Sequence, residues 1–566
     1  MSEQELLSPG AQGNRSAVDR PERTAGSRAA ESASEPSINR WVFSLMALAF
    51  GSLVVLGLCS RPATTLRVVA GSGFSPFEPI LKRWGERNAV DVQVTYKGSL
   101  DIMLMLEDGS IDSDAIWEGD SLWTALGDKQ HLVKNSKSIM CSPIVFGVKK
   151  SLAQELGWIG KDVRMQDILA AAEDKRLRVL MTSASQSNSG ASAYFGFLYA
   201  FAGNPDVLSS EHLEYPAVGE KVRRILDTLD RTSESSGWMR DHFLARYENY
   251  DAMFNYESHV LEMNQKLAAS GREPLHIVYP AEGLGVADFP LSFVSKGSGD
   301  KAPLFRRLQD YLLSEPVQRE FAAKGRRVGP LCDQVDPAIF RPEWGADAAH
   351  TLNSFKYPSE PVIRQALALY QTAFRKPSFT VYCLDYSASM KGKGREQLTQ
   401  AMRTLLDQQQ ASKYLLQGAP NDVTIVLAFD DQIINANESG AWTVRGNNPE
   451  ELERLLARIE SQPTRNRTDI YRPAAVALSL MKEQGIGDRF PAIILMTDGQ
   501  SNSGAGIGQL EQARAVTGLD TVPVFGITFG EADPAQLNSI AELTDGRVFD
   551  GTKDLVGAFR KAKGNN

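Results

Sequence analysis

From Thr64 onward, short apolar runs alternate with amphipathic stretches of helical period, the pattern of β-strands followed by α-helices. The first unit is TTLRVVAGSG, with a helix expected from Pro76 to Asn88 and a second strand in VDVQVTYKGS. Later, FTVYCLDYSASMKG places a buried strand at Phe379 to Leu384, with Asp385, Ser387 and Ser389 at its carboxyl end. A helix is expected to follow at Glu396 to Gln409, since Leu398, Met402, Leu405 and Leu406 fall on one face. DVTIVLAFDD (422 to 431) is a second buried strand. A helix from Asn448 to Ile459, a turn carrying Arg467-Thr468-Asp469 and a helix from Tyr471 to Met481 come next. PAIILMTDGQ then delivers Thr497-Asp498-Gly499 at the end of the strand Ala492 to Met496. TVPVFGITFG, a helix near Pro534 to Leu543, a short strand at Arg547 to Phe549 and a terminal helix complete the order. Such alternation builds a doubly wound sheet, and ligands of such sheets sit at the carboxyl ends of the strands.

The pattern differs before Thr64. Residues 1 to 40 are rich in Ser, Glu, Arg and Gly and are expected to be a disordered tail. Trp41 to Cys59 is an uncharged run bracketed by Arg40 and Arg61. As a helix it would cover roughly 28 Å, enough to span a bilayer. A retained anchor is expected, a cleaved signal peptide being the alternative. Leu58 before Cys59 argues against a lipoprotein site. Arg23, Arg28 and Arg40 before the run nearly balance Arg61 and Arg67 after it, so charge sets orientation only weakly.

With 566 residues, 42% hydrophobic and 23% charged, the chain can bury several cores. The formal net charge of -8 argues against a general nucleic-acid binder. Four cysteines without a CxxC pair indicate neither a zinc cage nor a disulfide framework. Cys59 lies in the apolar run and Cys383 in a core strand, which leaves Cys141 and Cys332 as the only pair for a bridge, formed or not.

GSGFS (71 to 75), KGS (97 to 99) and SQSNSG (185 to 190) each stand where a helix begins, offering backbone N–H groups and hydroxyls to a ligand or simply capping their helices. AGSGFSPFEPILKRW, VTYKGSLDIMLMLEDG, DAIWEGDSLW, SIMCSPIVFGVKKSLAQELGW, TSASQSNSGASAYFGFLYAFAG and YDAMFNYESHVLEMNQ resemble signatures of bacterial extracellular solute-binding proteins, over residues 64–357. The resemblance implies two α/β lobes joined by a crossing hinge, with a small-molecule ligand held between them. Carried over by position, the ligand-binding residues are Ser72, Ser99, Ser187 and Ser189, with Glu257 as a closing contact. Helix N-termini favour an anion, yet no arginine stands beside these loops, and Glu118 and Glu257 would repel one. A vestigial cleft acting as scaffold is the alternative. Residues 358–377, flanked by prolines, read as a linker helix.

The element order from residue 378 to the C-terminus resembles the von Willebrand factor type A (VWA) domain. That family builds a metal-ion-dependent adhesion site from a DxSxS loop, a threonine on a second loop and an aspartate on a third, which fall here on Asp385, Ser387, Ser389, Thr468 and Asp498. Asn466-Arg467 stands where family members often carry glycines, and the arginine would add positive charge beside the cation. Two carboxylates and three hydroxyls suit Mg2+ or Mn2+ and leave room for a partner protein's carboxylate. Asp469 and Asp430 are expected to cap a helix and tune the outer shell. Asp385 is expected at a strand end outside the core of Val381, Cys383, Val426 and Ile494, so that Asp385→Ala leaves no cavity.

Enzymatic activity is not expected: GxxxxGK[ST], HExxH and GxSxG are absent, the six histidines are scattered, and the metal loops supply no general base. The expected protein is thus α/β, a two-lobed periplasmic-binding-protein-like domain followed by a Rossmann-like VWA domain, on one N-terminal transmembrane helix. Its expected place is the inner membrane, with a cytoplasmic tail and the large domains extracytoplasmic. It would capture a protein partner through the metal and bind a solute in the cleft. The alternative is a tethered substrate receptor of an ABC-type transporter.

Overall fold

The computed structural model describes residues 64–565, apart from 297–300, 350–351, 353, 436–440, 499–500, 503, 505 and 531–533. The expected tail and membrane span at 1–59 lie outside the described residues, among which no helix is long and apolar enough to cross a membrane.

Three sheets organise the described chain. The first has the order Val90–Lys97, Thr64–Gly71, Ala115–Trp117, Pro290–Val294, Val133–Ser138. The second runs Val286–Ala287, Ser142–Lys149, Ala252–Tyr256, Val179–Thr182, Leu229–Ser233, and Leu275–Val278 also pairs with Ser142–Lys149. These sheets are the cores of two lobes. The chain passes from the first to the second between Ser138 and Ser142 and returns between Ala287 and Pro290. The helices Ala302–Leu312 and Glu315–Ala322 pack back on the first lobe, where Phe321 meets Phe77 and Trp117. The chain then crosses once more at Arg327, whose backbone bridges to Cys141. A disulfide joins Cys141 and Cys332, with 6.0 Å between their Cα atoms, so the first and third crossings are tied together. Cys383 is free and buried.

The third sheet has the order Trp442–Arg445, Val423–Phe429, Ser378–Asp385, Phe490–Thr497, Val524–Thr528, Arg547–Asp550, all parallel except the first strand. Ser378–Asp385 is central and buried at every position. It reads as an uninterrupted apolar run because helices cover both faces. Phe379, Val381 and Cys383 pack with the helix Tyr471–Gln484, while Tyr382 and Leu384 face the helices Lys393–Leu406 and Leu555–Gly564. The helix expected to reach Gln409 stops at Leu406. Asp407 leaves helical geometry, and its carboxylate caps a separate helix, Gln408–Lys413, accepting the N–H groups of Gln409 and Gln410 at 2.9 and 3.2 Å. The edge strand Trp442–Arg445 was not anticipated, since only Val444 of its four residues is buried. The linker is the helix Glu360–Leu369 continued by a π-turn at Tyr370–Phe374.

Candidate functional site

Three loops converge at the carboxyl end of the third sheet. Asp385 ends the central strand; its Oδ1 accepts the N–H of Ser387 at 2.7 Å and its Oδ2 the hydroxyl of Thr497 at 2.6 Å. It is fully buried, contrary to the expectation of a residue outside the core, and burial pushes its carboxyl up to about 6. The hydroxyls of Ser387 and Ser389 lie 3.0 Å apart, and Ser389 donates to Oδ1 of Asp498 at 2.9 Å. Asp498 is held above the ordinary carboxylate range by partial burial. The threonine loop is tied to the same place through its backbone: Arg465 N–H reaches the Tyr386 carbonyl at 2.8 Å and Ala388 N–H the Asn466 carbonyl at 3.2 Å. Asn466 has φ +60°, the left-handed backbone for which glycine is the usual residue. Arg467 is exposed. Thr468 exchanges backbone bonds with Asn502, its N–H meeting the Asn502 side chain at 3.1 Å and its carbonyl the Asn502 N–H at 3.0 Å.

Asp385, Ser387, Ser389 and Asp498 are therefore linked side chain to side chain or through one loop, and Thr468 stands on a loop bonded to theirs. Asp469 caps the helix Tyr471–Gln484, accepting from Tyr471 and Arg472 N–H at 3.1 and 3.2 Å. Asp430 caps no helix; it holds the turn by accepting from the Asn466 amide at 2.9 Å. Among the described residues, no three His, Cys, Asp or Glu side chains converge as metal ligands. The donor set here is two carboxylates with hydroxyls, all hard oxygen, which fits Mg2+ or Mn2+ and no soft metal.

The second candidate site lies between the two lobes. Ser72, Ser99 and Ser187 line a cavity of ≈ 30 Å³, together with Asn188, His259 and Arg326. The lobes are in contact around it: Ser235 donates to Ser72 Oγ at 2.8 Å, and Trp123 Nε1 to Asn188 Oδ1 at 2.7 Å. Ser189 stands behind the lining, its hydroxyl 2.7 Å from Thr182 Oγ1 and 3.1 Å from Ser187 Oγ. Glu257 is not a cleft contact. It is fully buried against Arg327, bidentate at 2.8 Å, so a partner rather than a ligand neutralises it.

The cleft is also not without an arginine. Arg326, distant in sequence from the serine loops, is buried over the Phe77 ring, 5.0 Å from its centroid, and ion-paired with Glu262 at 2.9 Å. The third chain crossing brings it there, which no local spacing reveals. Glu118 is fully buried, and that burial holds its carboxyl well above the usual range, favouring the neutral form rather than a repelling charge.

Two hinged α/β lobes with a polar cleft, joined to a doubly wound sheet carrying an oxygen-donor loop site, define a solute-binding module fused to a second α/β domain. Residues 66–327 match the model of the bacterial extracellular solute-binding protein family, and residues 381–555 that of the von Willebrand factor type A domain; the chain carries both domains. Among solved structures, it is similar to the periplasmic binding protein AfuA from Actinobacillus pleuropneumoniae, at 13% identity over 47% of this chain and 84% of that one, with a TM-score of 0.36. The sulfate-binding protein SubI from Mycobacterium tuberculosis H37Rv matches at 17% identity over 49% and 88% of the respective chains, with a TM-score of 0.36. The periplasmic molybdate-binding protein of Azotobacter vinelandii matches at 13% identity over 47% and 99%, with a TM-score of 0.33. No curated protein matches the chain.

Proposed function

We propose that this is a membrane-anchored extracytoplasmic protein that captures a protein partner through a metal-ion-dependent adhesion site and couples that capture to a solute-binding module. The observation that carries the reading is the chain of oxygens from Ser387 through Ser389 to Asp498, beside the buried carboxylate of Asp385. Asp385, Ser387, Ser389, Thr468 and Asp498 would hold Mg2+ or Mn2+. When bound, such an ion supplies an electrophilic position that a partner's carboxylate can complete. The protein's own contribution is to hold the hydroxyls and carboxylates in place before any partner arrives: Thr497 and the Ser387 N–H orient Asp385, and Asp430 and Asn502 pin the threonine loop. Small molecules would bind among Ser72, Ser99 and Ser187. The role is one of binding rather than catalysis.

The uncharged run 41–59, the match to an extracellular solute-binding family and the Cys141–Cys332 disulfide all support a location outside the cytoplasm. Titrating magnesium and manganese into the full-length protein tests the adhesion site: saturable binding near one ion per chain is expected, and no binding of either ion defeats the reading. Protease added to cells with a permeabilised outer membrane should digest the large domains; their complete protection would reverse the topology.

A further inference from the structure

The C-terminal helix of the VWA domain, Leu555–Gly564, lies across the rim of the solute cleft and holds both lobes. Arg560 is almost fully buried there. Its Nε donates to Asp101 Oδ1 of the first lobe at 2.6 Å, and its Nη2 to the Ser185 carbonyl of the second lobe at 2.8 Å, while Gln186 of the second lobe donates to the Arg560 carbonyl. Asp101 is in the first turn of the helix that starts at Ser99, and Ser185-Gln186 immediately precede Ser187, so one side chain grips the two loops that supply cleft hydroxyls.

Contacts on either side repeat the arrangement. Asp554 pairs with Lys97 of the first lobe. Thr232 of the second lobe donates to the Gly564 carbonyl at 3.1 Å, and Asn565 donates to Glu234 at 2.6 Å. Lys97 and Glu234 themselves line the cavity. Gly564 packs directly on the Gln186 side-chain amide, where a Cβ would stand 2.3 Å from Oε1 and displace it.

Gln186 Oε1, Arg560 Nη1, Arg231 Nε and Asn565 Oδ1 are buried without a protein hydrogen-bond partner.

We propose that the terminal helix is a latch that holds the two lobes closed from outside the cleft, so that solute enters or leaves only when the VWA domain lets go of one lobe. Undocking and solute exchange are then one linked equilibrium: whatever favours the detached helix opens the cleft, and whatever props the lobes apart loosens the helix. The proposal rests on the solute-binding reading of the cleft and not on the metal site.

Amide hydrogen exchange in the full-length protein, without solute or added metal, tests it. Arg560→Ala should speed exchange roughly tenfold or more in residues 98–107 and 183–190, on both sides of the cleft, while the core strands Ser142–Lys149 and Ser378–Asp385 keep wild-type protection. Faster exchange confined to 555–564, with the cleft loops unchanged, overturns the latch. If Arg560→Ala loosens the core strands as well, the decision passes to Asp101→Asn, which keeps the side chain's shape and removes the charge that Arg560 grips. Because Asp101 also accepts the Gly98 N–H at the start of its own helix, the readout is the opposite loop: faster exchange at 183–190 in that variant supports the latch, and unchanged exchange there overturns it. Neither measurement depends on magnesium binding, so failure here is separable from failure of the adhesion site.

Discussion

The hydroxyl of Ser389 donates to Oδ1 of Asp498 at 2.9 Å, joining two loops that are 109 residues apart in the chain. Parallel neighbours in the sheet bring them together: Ser378–Asp385 and Phe490–Thr497 are paired in register, so both strands end at the same level.

Asp385 anchors this group and is also a structural residue. Asp385→Ala removes the acceptor for the Ser387 N–H and the Thr497 hydroxyl and should cost about 2–4 kcal/mol of stability. Asp385→Asn keeps the shape with less charge; its magnesium affinity should fall at least roughly tenfold with the sheet intact. Calorimetric titration of the folded Asn variant checks this, and wild-type affinity would remove Asp385 from the site.

Gly98 marks a close approach of the lobes. Its φ of -66° is ordinary, but a Cβ would stand 2.5 Å from the Gln186 carbonyl. Gly98→Ala should therefore cost about 1–3 kcal/mol or separate the lobes. Thermal unfolding together with small-angle scattering reads either response; an unchanged melting temperature and radius of gyration would contradict the closed arrangement.

Glu257 and Arg327 form an ion pair with both side chains buried. Glu257→Ala leaves the guanidinium uncompensated and should lose about 3–5 kcal/mol in urea unfolding. A loss under about 1 kcal/mol would mean that the carboxylate is solvated rather than paired in the core.

His242 stacks on Trp238 with 4.6 Å between ring centroids and lies 3.1 Å from the Tyr250 hydroxyl. Burial, reinforced by the charge of Arg231, lowers its imidazole to about 4. Between that value and the ordinary value of about 6.5, the unfolded chain takes up a proton that the folded chain refuses. This contribution is fully present above about pH 6.5 and is lost as the pH falls towards 4, amounting to about 2 kcal/mol between pH 7 and pH 5. His242→Gln should lose that much less stability than the wild type over the same interval. Parallel urea curves for the two proteins would refute the assignment.

The apolar runs at 379–384, 423–429 and 492–496 and the punctuation between them were enough to locate three strands of the third sheet, because a strand covered on both faces must be apolar throughout. Asp385 and Asp498 were legible as strand-end residues; the grouping of Asp385, Ser387, Ser389, Thr468 and Asp498 was implied by the VWA resemblance, and the fold brings their loops together. Ser72, Ser99 and Ser187 at the cleft were legible as helix starts. Tertiary structure alone decided which charges meet. Arg326 enters the cleft through a crossing far along the chain, Arg327 takes Glu257 out of it, and Arg560 reaches Asp101 across a separation of 459 residues. Helical and strand periodicities report which face of an element is buried. They carry no information about which distant side chain lies against that face, and a charge pair's energy depends on the separation and burial that only the tertiary fold sets.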